Sequence, residues 1–165
     1  MRIEGFAPLA RADARVLVLG SMPGQASLDA GRYYAHPRNT FWRIMGEIHG
    51  FAPDAPYATR VTMLLDAGVA LWDVLHTCVR PGSLDSRIDA PEANDLAGFL
   101  GDHPAIRRIV FNGAAAEALF RRHVLPELDP AAQQILRLRL PSTSPAHASV
   151  ALPAKTAAWA AAFRP

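Results

Sequence analysis

Four apolar runs recur along the chain at intervals that suit a layered fold. They are Arg15–Gly20, Val69–Leu75, Ile106–Asn112 and Gln134–Leu140. In the first two, leucine, valine and alanine follow one another with little polar alternation, which is typical of strands buried on both faces. None of the runs approaches the length of about 18 residues that is needed to cross a bilayer. We therefore predict four strands of a buried parallel sheet.

Segments with helical spacing of apolar residues alternate with these runs. The predicted helices are Asn39–Gly50, Ala58–Ala67, Pro91–Leu100, Gly113–Val124 and Pro153–Phe163. Gly50 and Gly68 are placed to end the first two helices, and Asp89 to cap the third, with Pro91 in its first turn. A turn-rich loop, His76–Asp89, precedes the third helix.

Strands that alternate with helices favour an α/β fold in which helices cover both faces of a parallel sheet. We predict a three-layer α/β/α sandwich with a central four-stranded parallel sheet. No linker or repeat divides the sequence, so residues 1–165 are expected to form a single domain. Right-handed crossovers place the carboxyl ends of the strands at one edge, where ligands of such folds bind. The segments expected there are GSMPG, WDVLHTC, FNG and PSTSPA.

The turn after the first strand, Gly20-Ser21-Met22-Pro23-Gly24, allows the backbone to approach a ligand closely. Its two glycines have no side chain in the way, and Pro23 fixes the turn. The spacing matches neither the dinucleotide-binding fingerprint nor a P-loop. A purely structural turn between strand and helix is the alternative interpretation.

An aromatic and polar stretch, Tyr33–Asn39 (YYAHPRN), follows on the same side of the sheet. Aromatic rings on a loop at the sheet edge often stack on flat ligands such as bases, but a pair of core tyrosines would give the same pattern. His36 before a proline fits a structural hydrogen-bonding role. Asn39 is placed as a helix N-cap, and its amide can also point at a ligand.

Polar residues also mark the ends of the second and fourth strands. Asp73 interrupts the run LWDVL, where a carboxylate must be paired or is costly to bury. Because it lies near the carboxyl end of a strand, we expect a functional role. Ser142, Thr143 and Ser144 lie between two prolines, and their hydroxyl groups can donate to a phosphate. A plain surface loop is the alternative.

Composition narrows the function classes without choosing among them. Hydrophobic residues make up 50% of the chain and charged residues 19%, which indicates a soluble globular protein. The early charges of the N-terminus do not fit a secretory signal, so we expect a cytoplasmic protein with no membrane partner. Nearly all of the 17 basic residues are arginine, yet the net charge is only +2. Any DNA contact should therefore be local rather than driven by bulk charge.

The single cysteine, Cys78, excludes an intramolecular disulfide and a cysteine-based zinc or iron–sulfur site. A role as nucleophile beside His76 is one interpretation, and a small core thiol is the expected one. The sequence contains no visible cluster of metal ligands, so we expect no metal and no cofactor. We expect a monomer.

Four segments together resemble a known family. The stretches LVLGSMPG…YYAHPRNTFW, GVALWDVLHTCVRPGSLDSRI, IVFNG and LPSTSPAHA are similar, in this order, to motifs of the uracil-DNA glycosylase superfamily. They resemble most its hypoxanthine-DNA (deoxyinosine) glycosylase branch, family 6. The resemblance extends from about Val16 to Ala148. It implies a uracil-DNA glycosylase-like fold and an enzyme that flips a deaminated base, above all hypoxanthine, out of double-stranded DNA. Hydrolysis of the N-glycosidic bond would then leave an abasic site.

The resemblance also implies roles for individual residues. Met22 stands where relatives carry an asparagine or an acidic residue that positions water, and a thioether cannot replace that group. Catalysis is therefore assigned to Asn39, with help from the backbone carbonyl of Ser21 or Met22. Tyr34 is expected to stack on the flipped base, and Asp73 to read its edge.

The remaining implied contacts fall on the same loops. The expected substrate-binding residues are Gly20, Pro23, Gly24, Tyr34, His36, Asp73 and Asn112. The expected DNA-binding residues are Ser142, Thr143, Ser144, Pro145 and His147. Within the same class, a uracil or mismatch-specific glycosylase is the alternative. In another class, a non-catalytic sensor that binds a nucleotide or DNA is the alternative, and the methionine at position 22 favours it.

Overall fold

The chain forms two sheets with helices packed around them, and a computed structural model describes all of residues 1–165. The strands are β1 (Arg2–Glu4), β2 (Val16–Gly20), β3 (Val69–Asp73), β4 (Leu75–Val79), β5 (Asp89–Ala93), β6 (Arg108–Asn112) and β7 (Leu136–Leu140). The helices are α1 (Gln25–Ala30), α2 (Phe41–His49), α3 (Tyr57–Asp66), α4 (Leu96–Asp102), α5 (Ala114–His123), α6 (Pro130–Gln133) and α7 (Leu152–Ala162).

Four strands form the predicted parallel sheet, in the order β3-β2-β6-β7. The register pairs Gly20 with Asp73, and Asn112 with Leu140. These strand ends therefore lie in one row at the carboxyl edge of the sheet. The prediction of a central four-stranded parallel sheet is confirmed.

Helices cover both faces of this sheet and complete the predicted three layers. On one face, α2, α3 and α7 contribute Phe41, Leu64 and Trp159 to a buried apolar cluster. On the other face, α4 and α5 contribute Phe99 and Phe120 to a second cluster. Full burial of a large apolar side chain contributes about 1.5–3 kcal/mol, so these two layers hold the sheet and its edge loops in place.

A second sheet, which the sequence did not predict, lies beside the first. Strands β1, β4 and β5 form it in antiparallel pairs, in the order β1-β4-β5. Strand β4 occupies the first part of His76–Asp89, so the prediction of a loop is wrong there. The turn residues Pro81-Gly82-Ser83 closely follow this short strand, and they favoured a loop prediction for the whole segment.

The predicted helix Pro91–Leu100 begins later than expected. Pro91 lies in β5, and helix α4 starts only at Leu96, with Asp95 instead of Asp89 as its N-cap. The Asp95 Oδ1 atom accepts a backbone N–H of the first turn at 3.0 Å. Proline is tolerated in β5 because this edge strand pairs with β4 alone. An aspartate and a nearby proline mark a helix start and an edge strand equally well.

Cys78 is a fully buried free thiol in β4, as expected of a core cysteine. Burial raises the pKa of this thiol, which disfavours the nucleophilic thiolate. No three His, Cys, Asp or Glu side chains are grouped closely enough to hold a metal ion. None of the helices combines the length and the apolar character that a membrane span requires.

Candidate active site

A polar cavity of about 130 Å³ lies at the carboxyl edge of the parallel sheet. A cavity of about 150 Å³ in another protein holds a benzene ring, so the size of this cavity suits one flat ring system. The cavity is open to solvent on one side. It is lined by residues 20–27, Tyr33, Tyr34, His36, Asn39, Asp73, Ser83, Asp85, Asn112 and residues 142–145. Of the residues predicted to act in catalysis or binding, only His147 lies outside this lining.

Gly20 ends β2 at a point where no side chain fits. A Cβ atom there would collide with the carboxylate of Asp73 across the sheet register and would lie 3.1 Å from the Tyr34 hydroxyl. The Gly20 carbonyl accepts the Val74 N–H at 2.8 Å. The absence of a side chain therefore lets the Asp73 and Tyr34 side chains meet beside the backbone of the first turn.

Met22 contributes to the cavity wall but belongs to the core. It is 6% exposed and is part of the apolar cluster on the face of α4 and α5. Packing explains the thioether, which can neither orient nor activate water. The neighbouring Ser21 is polar instead, and its Oγ donates to Asp85 Oδ1 at 2.5 Å.

Tyr34 is held in a strained conformation against the cavity. Its φ of 54° lies in the left-handed region, which residues other than glycine rarely adopt and which often marks functional sites. Its ring stacks on Phe41, with centroids 4.1 Å apart. The hydroxyl is buried without a hydrogen-bond partner. Burial, together with the charge of Asp73, raises the pKa of this hydroxyl, so it stays protonated.

Asn39 combines a structural contact with a free polar group. The N-cap position of α2 is Thr40, one residue after the predicted Asn39. The capping contact still comes from Asn39, whose Oδ1 accepts the Phe41 backbone N–H at 2.9 Å. An amide oxygen has two lone pairs, so Oδ1 can accept a second hydrogen bond from water or a ligand. Because Asn39 lines the cavity, the capping contact fixes the amide where a ligand would lie.

Asp73 is the buried carboxyl group of the site. It is 4% exposed, and its Oδ2 has no hydrogen-bond partner within the protein. Burial, reinforced by the charge of Asp85 and opposed by Arg80, raises the pKa of this carboxyl to about 7. A buried polar atom without a partner is destabilising. A ligand N–H group would satisfy it.

The raised pKa predicts that Asp73 makes stability depend on pH. The folded protein retains this proton up to about pH 7, whereas the unfolded chain releases it near the ordinary value of 3.8. The contribution of this group to stability is therefore present at low pH and is lost as pH rises from the lower value to the higher one. Each pH unit within that range lowers the free energy of unfolding by about 1.4 kcal/mol at most. Urea unfolding of the wild type and of Asp73→Asn at several pH values checks this. The wild type should lose more stability with rising pH, and equal losses would contradict the raised pKa.

Asn112 holds the loop that follows β7. Its Oδ1 accepts the Thr143 N–H at 2.9 Å, and its Nδ2 donates to the Thr143 Oγ1 at 3.0 Å. Thr143 is 1% exposed, so it anchors the loop instead of presenting a hydroxyl to solvent. The Oγ atoms of Ser142 and Ser144 accept backbone N–H groups within the loop. Each of these hydroxyl groups can still donate its hydrogen.

The two predicted histidines lie in different surroundings. His36 borders the cavity, and its Nδ1 accepts the Arg38 backbone N–H at 3.0 Å in a local turn. His147 is exposed, and its backbone carbonyl accepts a hydrogen bond from Lys155 Nζ at 2.9 Å. This contact ties the end of the loop to α7 and leaves the imidazole of His147 at the surface.

Residues of the β4–β5 loop complete one wall of the cavity, and sequence reasoning missed them. Ser83 and Asp85 line the cavity, and Ser83 Oγ accepts the Gln25 N–H at 2.8 Å. The buried guanidinium of Arg80 donates to the Pro23 carbonyl at 2.7 Å. The loop is thus bonded to the first turn at several points. The run CVRPGSLDS, which concentrates polar and turn residues directly after a strand, was the available signal.

This fold and this edge site define the class of protein. The model of the uracil DNA glycosylase superfamily matches residues 7–164. The chain therefore belongs to the uracil DNA glycosylase superfamily, and the resemblance found in the sequence is confirmed.

Individual relatives are more specific. Proteins from Methanosarcina barkeri and Methanosarcina acetivorans, both named hypoxanthine DNA glycosylase, are 34% and 36% identical to this chain over 114 residues. The matched region covers 68% of this chain and 72% of each relative. A solution NMR structure of a Methanosarcina acetivorans protein, provisionally described as a uracil DNA glycosylase, superimposes with a TM-score of 0.82 at 32% identity. That similarity covers 99% of this chain and 98% of the other.

Proposed function

We propose that this protein is a monofunctional DNA glycosylase that removes a deaminated base, hypoxanthine above all, from double-stranded DNA and leaves an abasic site. The observation that carries this proposal is the shared cavity, in which Tyr34, Asn39, Asp73 and Ser142 meet at one edge of the sheet. The relatives named hypoxanthine DNA glycosylase support the choice of base.

The base must leave the duplex before it reaches the cavity. Flipping costs a few kcal/mol, and less when the base is mispaired. Ser142 and Ser144 offer hydroxyl donors to phosphates beside the cavity, and Pro145 lies next to them on a loop that Thr143 anchors. In this proposal the loop after β7 presses on the DNA backbone and helps to keep the flipped nucleotide outside the duplex. His147, exposed beyond this loop, is placed for a phosphate contact only.

Asp73 and Tyr34 recognise the flipped base. The unpartnered Oδ2 of Asp73 accepts the N1–H of hypoxanthine, and the Tyr34 ring provides a flat surface that Phe41 supports from behind. Adenine lacks a proton at N1, so its lone pair would face the carboxylate. Guanine has the N1–H, and its 2-amino group must be excluded by the cavity wall. The backbone of Gly20, Pro23 and Gly24 forms that wall on one side.

Asn39 positions the water. The bond between C1′ and the base nitrogen breaks with its electron pair on the base, and the sugar acquires oxocarbenium character. Water adds its oxygen to C1′ and supplies the proton that the released base carries away. The fixed amide oxygen of Asn39, helped by the backbone carbonyl of Ser21 or Met22, orients this water. Such preorganised dipoles act strongly in a site that excludes bulk solvent.

The test is direct. The protein is incubated with duplexes that contain inosine, uracil or xanthine opposite each normal base, and abasic sites are revealed by alkali. We expect cleavage, fastest with inosine. Fastest cleavage of uracil would support the uracil or mismatch-specific alternative. Binding without any abasic sites would support a non-catalytic sensor, which the apolar Met22 favours, and would overturn the proposed activity.

A further inference from the structure

A second and larger cleft, of about 690 Å³, adjoins the cavity. The segment Tyr33–Asn39 separates the two spaces, and Tyr34, His36 and Asn39 line both of them. The rest of this second cleft, formed by the starts of α2 and α3 and the chain before them, has no part in base recognition. The second cleft therefore lies directly on the other side of the segment that borders the cavity.

The cleft is strongly cationic. Its lining contains Arg32, Arg38, Arg43 and Arg60, with Asp54 as the one acidic residue. Four arginines against one aspartate leave an excess of three positive charges in a chain whose net charge is +2. None of these four arginines forms a salt bridge, whereas Arg2, Arg11, Arg121 and Arg139 do. Positive charge is therefore concentrated here without a salt bridge, and the Arg60 Nε donates only to the backbone carbonyl of Ala55.

Two of the arginines are held in place by aromatic rings. The Arg60 guanidinium lies 5.0 Å from the Trp42 ring centroid and 5.5 Å from that of Tyr57, and Arg32 lies 5.5 Å from the Tyr57 ring. Stacking of this kind orients a guanidinium and leaves most of its N–H groups free. Planar donor groups that are fixed but unpaired are suited to binding phosphate.

We propose that this arginine cleft binds the phosphodiester backbone of the damaged strand beside the flipped nucleotide. The proposal rests on the proposed function for the identity of the strand, but the charge and the geometry of the cleft stand independently of catalysis. Phosphate contacts fix the position and register of a protein on DNA without reading its sequence. The cleft would therefore hold undamaged and damaged DNA alike, and would deliver the strand to the cavity.

The double variant Arg38→Ala, Arg43→Ala tests this, because both side chains are exposed and make no hydrogen bond within the protein. Affinity for an undamaged duplex is measured against salt concentration. Loss of two phosphate contacts should reduce the slope of log Kd against log salt by about two. The matched control is Arg107→Ala, Arg122→Ala, which removes the same charge from exposed positions at the other edge of the sheet.

An unchanged salt slope in the cleft variant, or an equal decrease in the control, would overturn the proposal. Inorganic phosphate is tested as a competitor. If it binds the wild type but not the cleft variant while DNA binding stays unchanged, the site is one for free phosphate and the DNA assignment is wrong. A wild type that cleaves no deaminated base would refute the proposed function instead, since the salt slope is measured on undamaged DNA.

A different observation concerns the wall formed by the β4–β5 loop. Two carboxyl groups line the cavity, those of Asp73 and Asp85. Asp73 is buried. Asp85 is exposed, and its Oδ1 accepts a hydrogen bond from the Ser21 hydroxyl. Burial raises the pKa of the Asp85 carboxyl above its ordinary value, and the Ser21 hydrogen bond and the charge of Arg80 oppose this shift without cancelling it. Contact with solvent and a hydroxyl donor favour the ionised form.

We propose that Asp85, oriented by Ser21, supplies the negative charge that stabilises the oxocarbenium-like sugar. This assignment also rests on the proposed function. The turn after β2 has the apolar Met22 and no acidic side chain. Asp85 supplies a carboxyl group at the wall of the same cavity. The two carboxyl groups then differ in role, because their environments differ: Asp73 is buried and faces the base, whereas Asp85 is exposed to solvent and accepts the Ser21 hydroxyl.

Asp85→Asn removes the charge and keeps the shape. The single-turnover rate on inosine DNA should fall roughly thirtyfold, as expected for two unit charges about 8 Å apart at an effective dielectric constant of about 20. Affinity for a non-cleavable duplex should stay the same or increase, because a charge that repels phosphate is removed. Asp102→Asn, at an exposed position at the end of α4, is the control and should leave both quantities unchanged.

A rate for Asp85→Asn within about threefold of the wild type would overturn this role, since that ratio is below 1 kcal/mol. Parallel losses of rate, affinity and melting temperature would show a merely structural contact and would also overturn it. If the variant does not fold, Ser21→Ala decides the question. It keeps the charge and loosens its position, so the rate should fall several-fold with unchanged affinity. A wild-type rate for Ser21→Ala would contradict the proposal.

Discussion

Replacing Asn39 by alanine is expected to lower the single-turnover cleavage of inosine DNA by about a hundredfold or more, as for other preorganised polar groups. The reason is that the amide oxygen lines the cavity while the Phe41 N–H fixes its direction. Alanine would leave the attacking water without this acceptor. Rapid-quench kinetics with enzyme in excess over DNA measures the chemical step and separates it from product release.

The capping contact of Asn39 needs its own control. Loss of a helix cap costs about 1 kcal/mol of stability by itself, and Asn39→Ala loses that as well. Asp95→Ala removes a comparable cap from α4, outside the cavity. We expect both variants to lose similar stability and only Asn39→Ala to lose activity. Near-normal cleavage by Asn39→Ala would reduce Asn39 to a helix cap.

Replacing Asp73 by asparagine is expected to change base preference far more than DNA affinity. The wild-type carboxylate accepts the N1–H of hypoxanthine with an oxygen that has no other partner. Loss of a charged acceptor to a buried donor costs about 1.5–3 kcal/mol, so inosine cleavage should fall by roughly ten- to a hundredfold. An amide can present either an acceptor or a donor, so other bases should lose less.

The comparison across substrates decides this prediction. Rates on inosine, xanthine and uracil duplexes are measured for the wild type and Asp73→Asn, together with the Kd for undamaged DNA. An unchanged Kd with a changed order of substrates supports a role in reading the base. An equal loss on every substrate would contradict it and would make Asp73 a general support of the site. The variant also removes the titration near pH 7 that burial gives this group.

The parallel sheet and its edge could be predicted because each strand carries its own signal. The runs that became β2 and β3 are apolar except for Asp73, and Gly50 ends α2 in the left-handed conformation that glycine favours. Asp73 could be recognised as a candidate because it is a polar residue at the end of an apolar run. A parallel sheet brings its carboxyl ends together, so their positions in sequence were enough to place them in one site.

The antiparallel sheet and the β4–β5 wall could not be predicted because their signals are weak or ambiguous. Strand β1 has three residues, and β5 contains a proline that also suits a helix start. The hydrogen bonds from Ser21 to Asp85 and from Arg80 to Pro23 join residues far apart in sequence. Only the tertiary fold brings such pairs together, so the polar, turn-rich run that contains Asp85 could indicate a loop but not its contact with Ser21.

The contact between Gly20 and Asp73 shows the same limit within the predicted site. Both residues were expected to bind substrate, but their direct opposition follows from the register of β2 and β3. That register explains why a glycine is required and why the carboxylate lies against the first turn. The sequence alone predicted that both residues lie at one edge of the sheet, but it could not predict that they are in contact.

The most direct measurement is a crystal structure of the protein with a duplex that carries 2′-fluoro-arabino-deoxyinosine, since the fluorine slows departure of the base. We predict that hypoxanthine lies in the cavity of about 130 Å³, with its ring against Tyr34 and its N1 within hydrogen-bond distance of Asp73. A base that stays stacked in the duplex, or one that binds between the arginines of the second cleft, would contradict this.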